Sequence, residues 1–119
     1  MSRYLVLLYS SEGEEAVERQ RWAEMPLWLE LTEGLREAGL LVANGALHRT
    51  DTATTVRVRD GEVELTDGPF AVTKEVLAGF YVLDCDGLDE ALRQAARFPT
   101  ARYGSVEVRP IVDPGEIPA

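Results

Sequence analysis

The stretch Tyr4-Leu5-Val6-Leu7-Leu8-Tyr9 has no polar side. As a strand it places Tyr4, Val6 and Leu8 on one face and Leu5, Leu7 and Tyr9 on the other, because successive side chains alternate. A strand apolar on both faces belongs in the middle of a sheet that is covered above and below. This restricts the fold more than any other feature, since the rest of the chain must supply or recruit both covers. Glu12, Glu14 and Glu15 follow directly, with no small-residue cleavage site, so the run reads as a strand rather than a secretion signal.

The elements that follow are legible from period and punctuation. A helical region spans about 14–38, and Pro26 either kinks it or opens a second segment at its first turn. In that segment Trp28, Leu31, Leu35 and Ala38 share a face opposite Glu30, Glu33 and Glu37, and Gly39 suits the helix end. Leu40 to Leu47 reads as a strand in which Gly45 marks a bulge or a close approach. Thr54 to Arg59 and Glu62 to Thr66 alternate about Asp60-Gly61, the dipeptide that a type I′ hairpin turn prefers. Val56, Val58, Val63 and Leu65 share one face of this hairpin, and Arg57 stands to pair with Glu64 on the other. Leu77 to Asp84 is a further strand. Asp86 is the expected cap of a helix whose stripe is Leu88, Ala91, Leu92 and Ala95, and Pro99 ends that helix. Gly104 to Pro110 is the last strand.

Without the hairpin the order is βαββαβ, so the expected fold is α+β and ferredoxin-like with an inserted β-hairpin, both helices lying on one face of the sheet. The second apolar face then needs a cover. Another copy of the chain, sheet to sheet, is one answer, which predicts a homodimer. The hairpin folding over that face is the other.

Length and charge narrow the function classes. A chain of 119 residues fits one domain, taken as 1–112 with a Pro-rich tail at 113–119. A net charge of −9 with scattered cations speaks against nucleic acid and leaves small or basic partners. No apolar run approaches the ~18 residues of a membrane span. Cys85 is the only cysteine, so no internal disulfide forms and a cytoplasmic location is expected. Asp84 and Asp86 disfavour its thiolate, which argues against a nucleophile. One histidine and one cysteine make no metal constellation, and there is no P-loop, dinucleotide fingerprint or nucleophile elbow. No cofactor is expected.

The densest polar chemistry lies in Asp67-Gly68-Pro69-Phe70-Ala71-Val72-Thr73-Lys74, with Glu75 behind it. Turns usually need only two or three such residues, so this stretch fixes an unusual backbone path or builds a site. Asp67 either orients the single histidine, His48, as an acid–base pair, or caps its own turn. His48 is a general base in the first case and an edge histidine in the second. Phe70 is expected to plug the core. Lys74 with Glu75 makes a charged rim, an anion contact or a solvated pair. Tyr81 sits mid-strand. Glu107 and Arg109 share a face of the last strand, either as an interface ion pair or with Arg109 clamping a ligand carboxylate.

Asp67-Gly68-Pro69-Phe70, Thr73-Lys74-Glu75 and Gly79-Phe80-Tyr81 together resemble the DGPF domain of the YCII-related superfamily. So do Ala53-Thr54-Thr55-Val56-Arg57 with Asp60-Gly61, Leu88-Asp89-Glu90-Ala91, and Gly104 through Pro110. Val72 stands where that family often has Glu, and Arg49 follows His48 where Pro is common. The resemblance implies a dimeric α/β-barrel type of domain with a suspected His/Asp site. It also implies a link to extracytoplasmic-function sigma factors, beside which DGPF-type proteins are often encoded. Two functions follow. One is a ligand- or partner-binding regulatory module. The other is a small cofactor-independent enzyme that uses His48 and Asp67 on an anionic molecule held by Arg109.

Overall fold

The computed structural model describes residues 2–13 and 15–118. The elements are β1 (Ser2–Ser11), α1 (Glu15–Ala23), α2 (Met25–Glu37), β2 (Leu41–Ala46), β3 (Thr54–Arg59), β4 (Glu62–Asp67), β5 (Glu75–Cys85), α3 (Leu88–Ala95) and β6 (Ser105–Pro110). The class is α+β. Strands β2, β5, β1 and β6 lie in that order in one antiparallel sheet, and β3 and β4 form a separate two-stranded sheet. The two-sided strand β1 is central, as its composition requires.

Local chemistry sets the boundaries. Pro26 falls in the first turn of α2, where its missing N–H costs nothing, and Gly39 follows the helix with φ of 76°. Asp60 and Gly61 both take positive φ, 52° and 77°, giving the primed turn that the dipeptide favours. A Cβ on Gly45 would stand 2.9 Å from the Phe80 ring, so this strand glycine does mark a close approach. The cap of α3 differs from expectation. Gly87, with extended backbone, takes the N-cap position, and the Glu90 carboxylate accepts from the Asp86 N–H at 3.4 Å.

The core lies on one side of the sheet. Tyr4, Val6 and Leu8 of β1 and Tyr81, Leu83 and Cys85 of β5 are buried there against Leu31 and Leu35 of α2, Ala91 of α3, and Phe98. Both strands show alternating burial, with Leu5, Leu7, Tyr9, Phe80 and Val82 only half-buried on the other side. The molecule is 19 Å along its shortest axis, about one helical layer on one sheet. Among the described residues no third layer lies over the second face.

The hairpin is therefore not the roof that a single-chain solution required. Its apolar residues, Val56, Val58, Val63 and Leu65, are 58% to 68% exposed. The radius of gyration is 16.5 Å, where a compact chain of this length has about 13.5 Å. The excess reflects β3–β4 projecting as an arm. Its base is fixed by backbone bonds from Leu47 N–H to the Ala78 carbonyl (2.9 Å) and from Gly68 N–H to the Ala53 carbonyl (2.7 Å). Thr55 adds a hydroxyl bond to the Gly68 carbonyl at 2.8 Å. Phe70, expected in the core, is instead 81% exposed, because the loop that carries it has no core beneath it. No helix among the described residues is long and apolar enough to cross a membrane.

Candidate functional site

Three groups of polar side chains bear on function. Glu107 and Arg109 belong to the edge strand β6 and stand opposite Leu7 and Leu5 in the β1–β6 ladder. They therefore border the open apolar face. Arg109 Nε lies 4.0 Å from Glu107 Oε2, and the two side chains are 70% and 50% exposed. One long contact between exposed groups is weak. It leaves most of the guanidinium fork available to a planar acceptor such as a carboxylate or phosphate.

Tyr81 lies on the opposite side of the same sheet. Its hydroxyl is 2.6 Å from that of Thr32, and its ring packs edge-on against Phe98 (4.7 Å between centroids) and stacks near Trp28 (6.3 Å). Within one protomer Tyr81 thus does not converge with Glu107 and Arg109. It is held in the core with its one polar atom satisfied, as a buried tyrosine requires.

His48, Asp67 and Lys74 belong to the segments that lead into and out of the arm. His48 follows β2 and is exposed, Asp67 ends β4 opposite Thr54, and Lys74 is exposed just before β5. Among the described residues no hydrogen bond or ion pair joins His48 to Asp67. The loop is tied down by its neighbours: Thr73 donates to the Glu75 carbonyl at 2.5 Å, and the Glu75 carboxylate accepts from Ser105 Oγ at 2.7 Å. This links the 67–75 connection to the start of β6, the strand that carries Arg109.

A polar knot that the sequence reading did not find braces the other side of the arm's base. The Glu12 carboxylate accepts from the Thr50 N–H (2.9 Å) and hydroxyl (2.5 Å), while Arg49 pairs with Glu18. Burial pushes the Glu12 carboxyl up. The Thr50 hydrogen bonds, with Arg49 and Arg21 nearby, outweigh that and hold it below the usual glutamate range. Glu12 and Thr50 are 38 positions apart, and no motif in the sequence signals the pair.

The remaining chemistry is sparse. An open apolar groove of about 380 Å³ runs between α3 and β6, lined by Leu92, Ala95, Ala96, Ala101, Val106 and Val108. No group of three or more metal-ligating side chains occurs among the described residues. Cys85 is fully buried. Burial, then Glu90, Asp84 and Asp86, push its thiol up to about 11. Cys85 is therefore expected to ignore a disulfide reagent at pH 8 in the folded protein and to react fully once unfolded. Rapid labelling of the native state would contradict the packing described above.

Comparison with known sequences fits this architecture. The sequence model of the YCII-related domain matches residues 2–114, which takes in the whole sheet, all three helices and the arm. An uncharacterized protein of Rhizobium meliloti (strain 1021) is 48% identical over 87 residues, covering 70% of this chain and 70% of that protein. The chain belongs to the YCII-related family.

Proposed function

We propose that this protein is a homodimeric, DGPF-type binding module of the ferredoxin-like, dimeric α/β-barrel kind. In this reading two sheets stack by their open faces and hold a small anionic ligand, or an acidic group of a regulatory partner protein, beside Arg109. The observation that carries the proposal is the uncovered face made by Leu5, Leu7, Tyr9, Phe80 and Val82, with a guanidinium on its border. The strand order β2-β5-β1-β6 supports the ferredoxin-like topology. Stacking a second sheet removes apolar area from water and lowers the dielectric around Arg109. A guanidinium so enclosed needs an anion, and Glu107 at 4.0 Å supplies only a loose one. The resemblance to DGPF-type proteins, which are often encoded beside sigma factors, supports a regulatory role in the cytoplasm.

Sedimentation equilibrium at micromolar concentration tests the assembly. A dimer is expected for the native chain and a monomer for Leu7→Asp, which sets a carboxylate in the stacked face. A native chain that is monomeric throughout would defeat the proposal. A thermal-shift screen of small carboxylates and phosphates tests the ligand. A ligand at 100 times its dissociation constant adds about 2.7 kcal/mol, and Arg109→Ala is expected to abolish that gain.

The acid–base reading through His48 and Asp67 draws support only from their shared position at the base of the arm. It is retained as the alternative. It requires turnover of an anionic compound that both His48→Ala and Asp67→Asn eliminate.

A further inference from the structure

The arm carries its own unmet demand for cover. A two-stranded hairpin alone in water is at best marginally stable and gains independence by packing one face on something else. Here one face is already balanced. Arg57 stands opposite Glu64, Arg59 opposite Glu62, and Thr55 opposite Thr66. The other face is Val56, Val58, Val63 and Leu65, all aliphatic and all mostly bare. Thr54 and Asp67, paired at the base of the arm, close that face, and no polar side chain lies between the four aliphatic ones. At the foot of the arm Phe70 and Val72 are 81% and 94% exposed. The Gly68 backbone bond to Ala53 closes the base of the hairpin, and the Glu12–Thr50 bonds tie that base to the end of β1.

We propose that the β3–β4 hairpin is an exchanged arm: in the homodimer proposed above, its Val56, Val58, Val63 and Leu65 face seats on the partner protomer. This deepens that reading and rests on it. Interface area argues for a second copy as the occupant. Four strands about 4.8 Å apart, the inner two of 10 and 11 residues and the outer two of 6 each, at about 3.4 Å per residue, present a footprint of roughly 500 Å² of open sheet. A stable interface takes about 800 Å² from each partner. The footprint of the sheet alone falls short by about a third. One face of the two-stranded arm presents roughly 200 Å² by the same measure. In a two-fold dimer each protomer contributes its own arm and receives its partner's, which doubles that gain. The arms therefore raise the interface from marginal to standard size.

Two measurements on the full chain test the proposal. The first is hydrogen exchange across residues 54–67 in the unaltered protein, as a function of concentration. Protection of these amides is expected to rise as the chain passes from monomer to dimer. Protection that is independent of concentration would mean that the chain's own segments cover the arm. Absent protection at every concentration would mean that the arm stays bare in the homodimer and some other molecule occupies it. Either result overturns the proposal.

The second measurement is sedimentation equilibrium of a Val58→Asp/Leu65→Asp variant. Its dissociation constant is expected to rise by at least about 100-fold. Because these side chains touch little of the protomer's core, its near-ultraviolet circular dichroism should match the native chain. A variant that dimerises as tightly as the native chain, while Leu7→Asp is monomeric, overturns the arm alone. A native chain that never dimerises overturns the stacked-sheet reading and the arm with it.

Discussion

Replacing Phe98 with alanine is expected to lower the unfolding free energy by about 3–5 kcal/mol. Phe98 is 1% exposed and lies just beyond α3. Its ring meets Tyr81 edge-on at 4.7 Å and Trp28 at 5.7 Å, so it joins α2 to the helix-facing side of β5. Truncation removes the buried ring and leaves a cavity between elements that are each anchored elsewhere and cannot collapse into it. The loss is comparable to much of a small domain's total stability of about 5–15 kcal/mol. Urea denaturation measures it, and a change below about 1 kcal/mol would mean that the aromatic cluster is not the keystone described here. Near-ultraviolet circular dichroism should weaken in parallel, because Tyr81 and Trp28 lose the neighbour that fixes their rings. The dimerisation proposed above, through the opposite face, should persist while the variant is folded, since Leu5, Leu7 and Phe80 point away from the cavity.

The second large effect is expected at Gly104. A Cβ there would stand 2.1 Å from the carbonyl oxygen of Tyr9 and 3.2 Å from the Thr100 methyl carbon. The first contact is with backbone, so no side-chain rotation relieves it. Either β6 must move off the end of β1 or the ladder between Tyr9 and Ser105 must open. Gly104→Ala is therefore expected to cost about 3 kcal/mol, at the upper end of overpacking effects. The melting temperature should fall by roughly 10–15 °C. The functional consequence is separable from the stability loss. β6 carries Glu107 and Arg109, and its first residue is tied through Ser105 to Glu75. Even at low temperature, where the variant is folded, any ligand gain that depends on Arg109 should be reduced. Unchanged stability would show that the β1–β6 junction is looser than the close approach implies.

Much of this fold is legible in the sequence. The hairpin turn, the role of Pro26, the end of α2 at Gly39 and the close approach at Gly45 follow from short-range chemistry. Each depends on the dihedral freedom or the steric bulk of one or two residues. The α+β class followed from the order of periods, and the family from several matched blocks in one order.

The candidate site was legible only in part. Arg109 and Glu107 share a face because strand alternation demands it, and that reading needed no partner strand. Tyr81 is different. Its neighbours Phe80 and Val82 are both apolar, so alternation in β5 does not reveal which of them looks toward the helices. The structure turns Tyr81 inward, against Thr32, and away from Arg109. Chemical type alone points Phe70 toward the core. Whether a core exists beneath a loop depends on where that loop is carried.

The sequence by itself determined that the central strand is greasy on both sides and that a hairpin with one aliphatic face is inserted between β2 and β5. Those are consequences of side-chain order along a backbone of period two. Tertiary structure decided that the hairpin extends as an arm instead of folding back, leaving two apolar surfaces open. That choice rests on bonds between residues far apart in the chain, Glu12 with Thr50 and Glu75 with Ser105, whose geometry exists only once the sheet has formed.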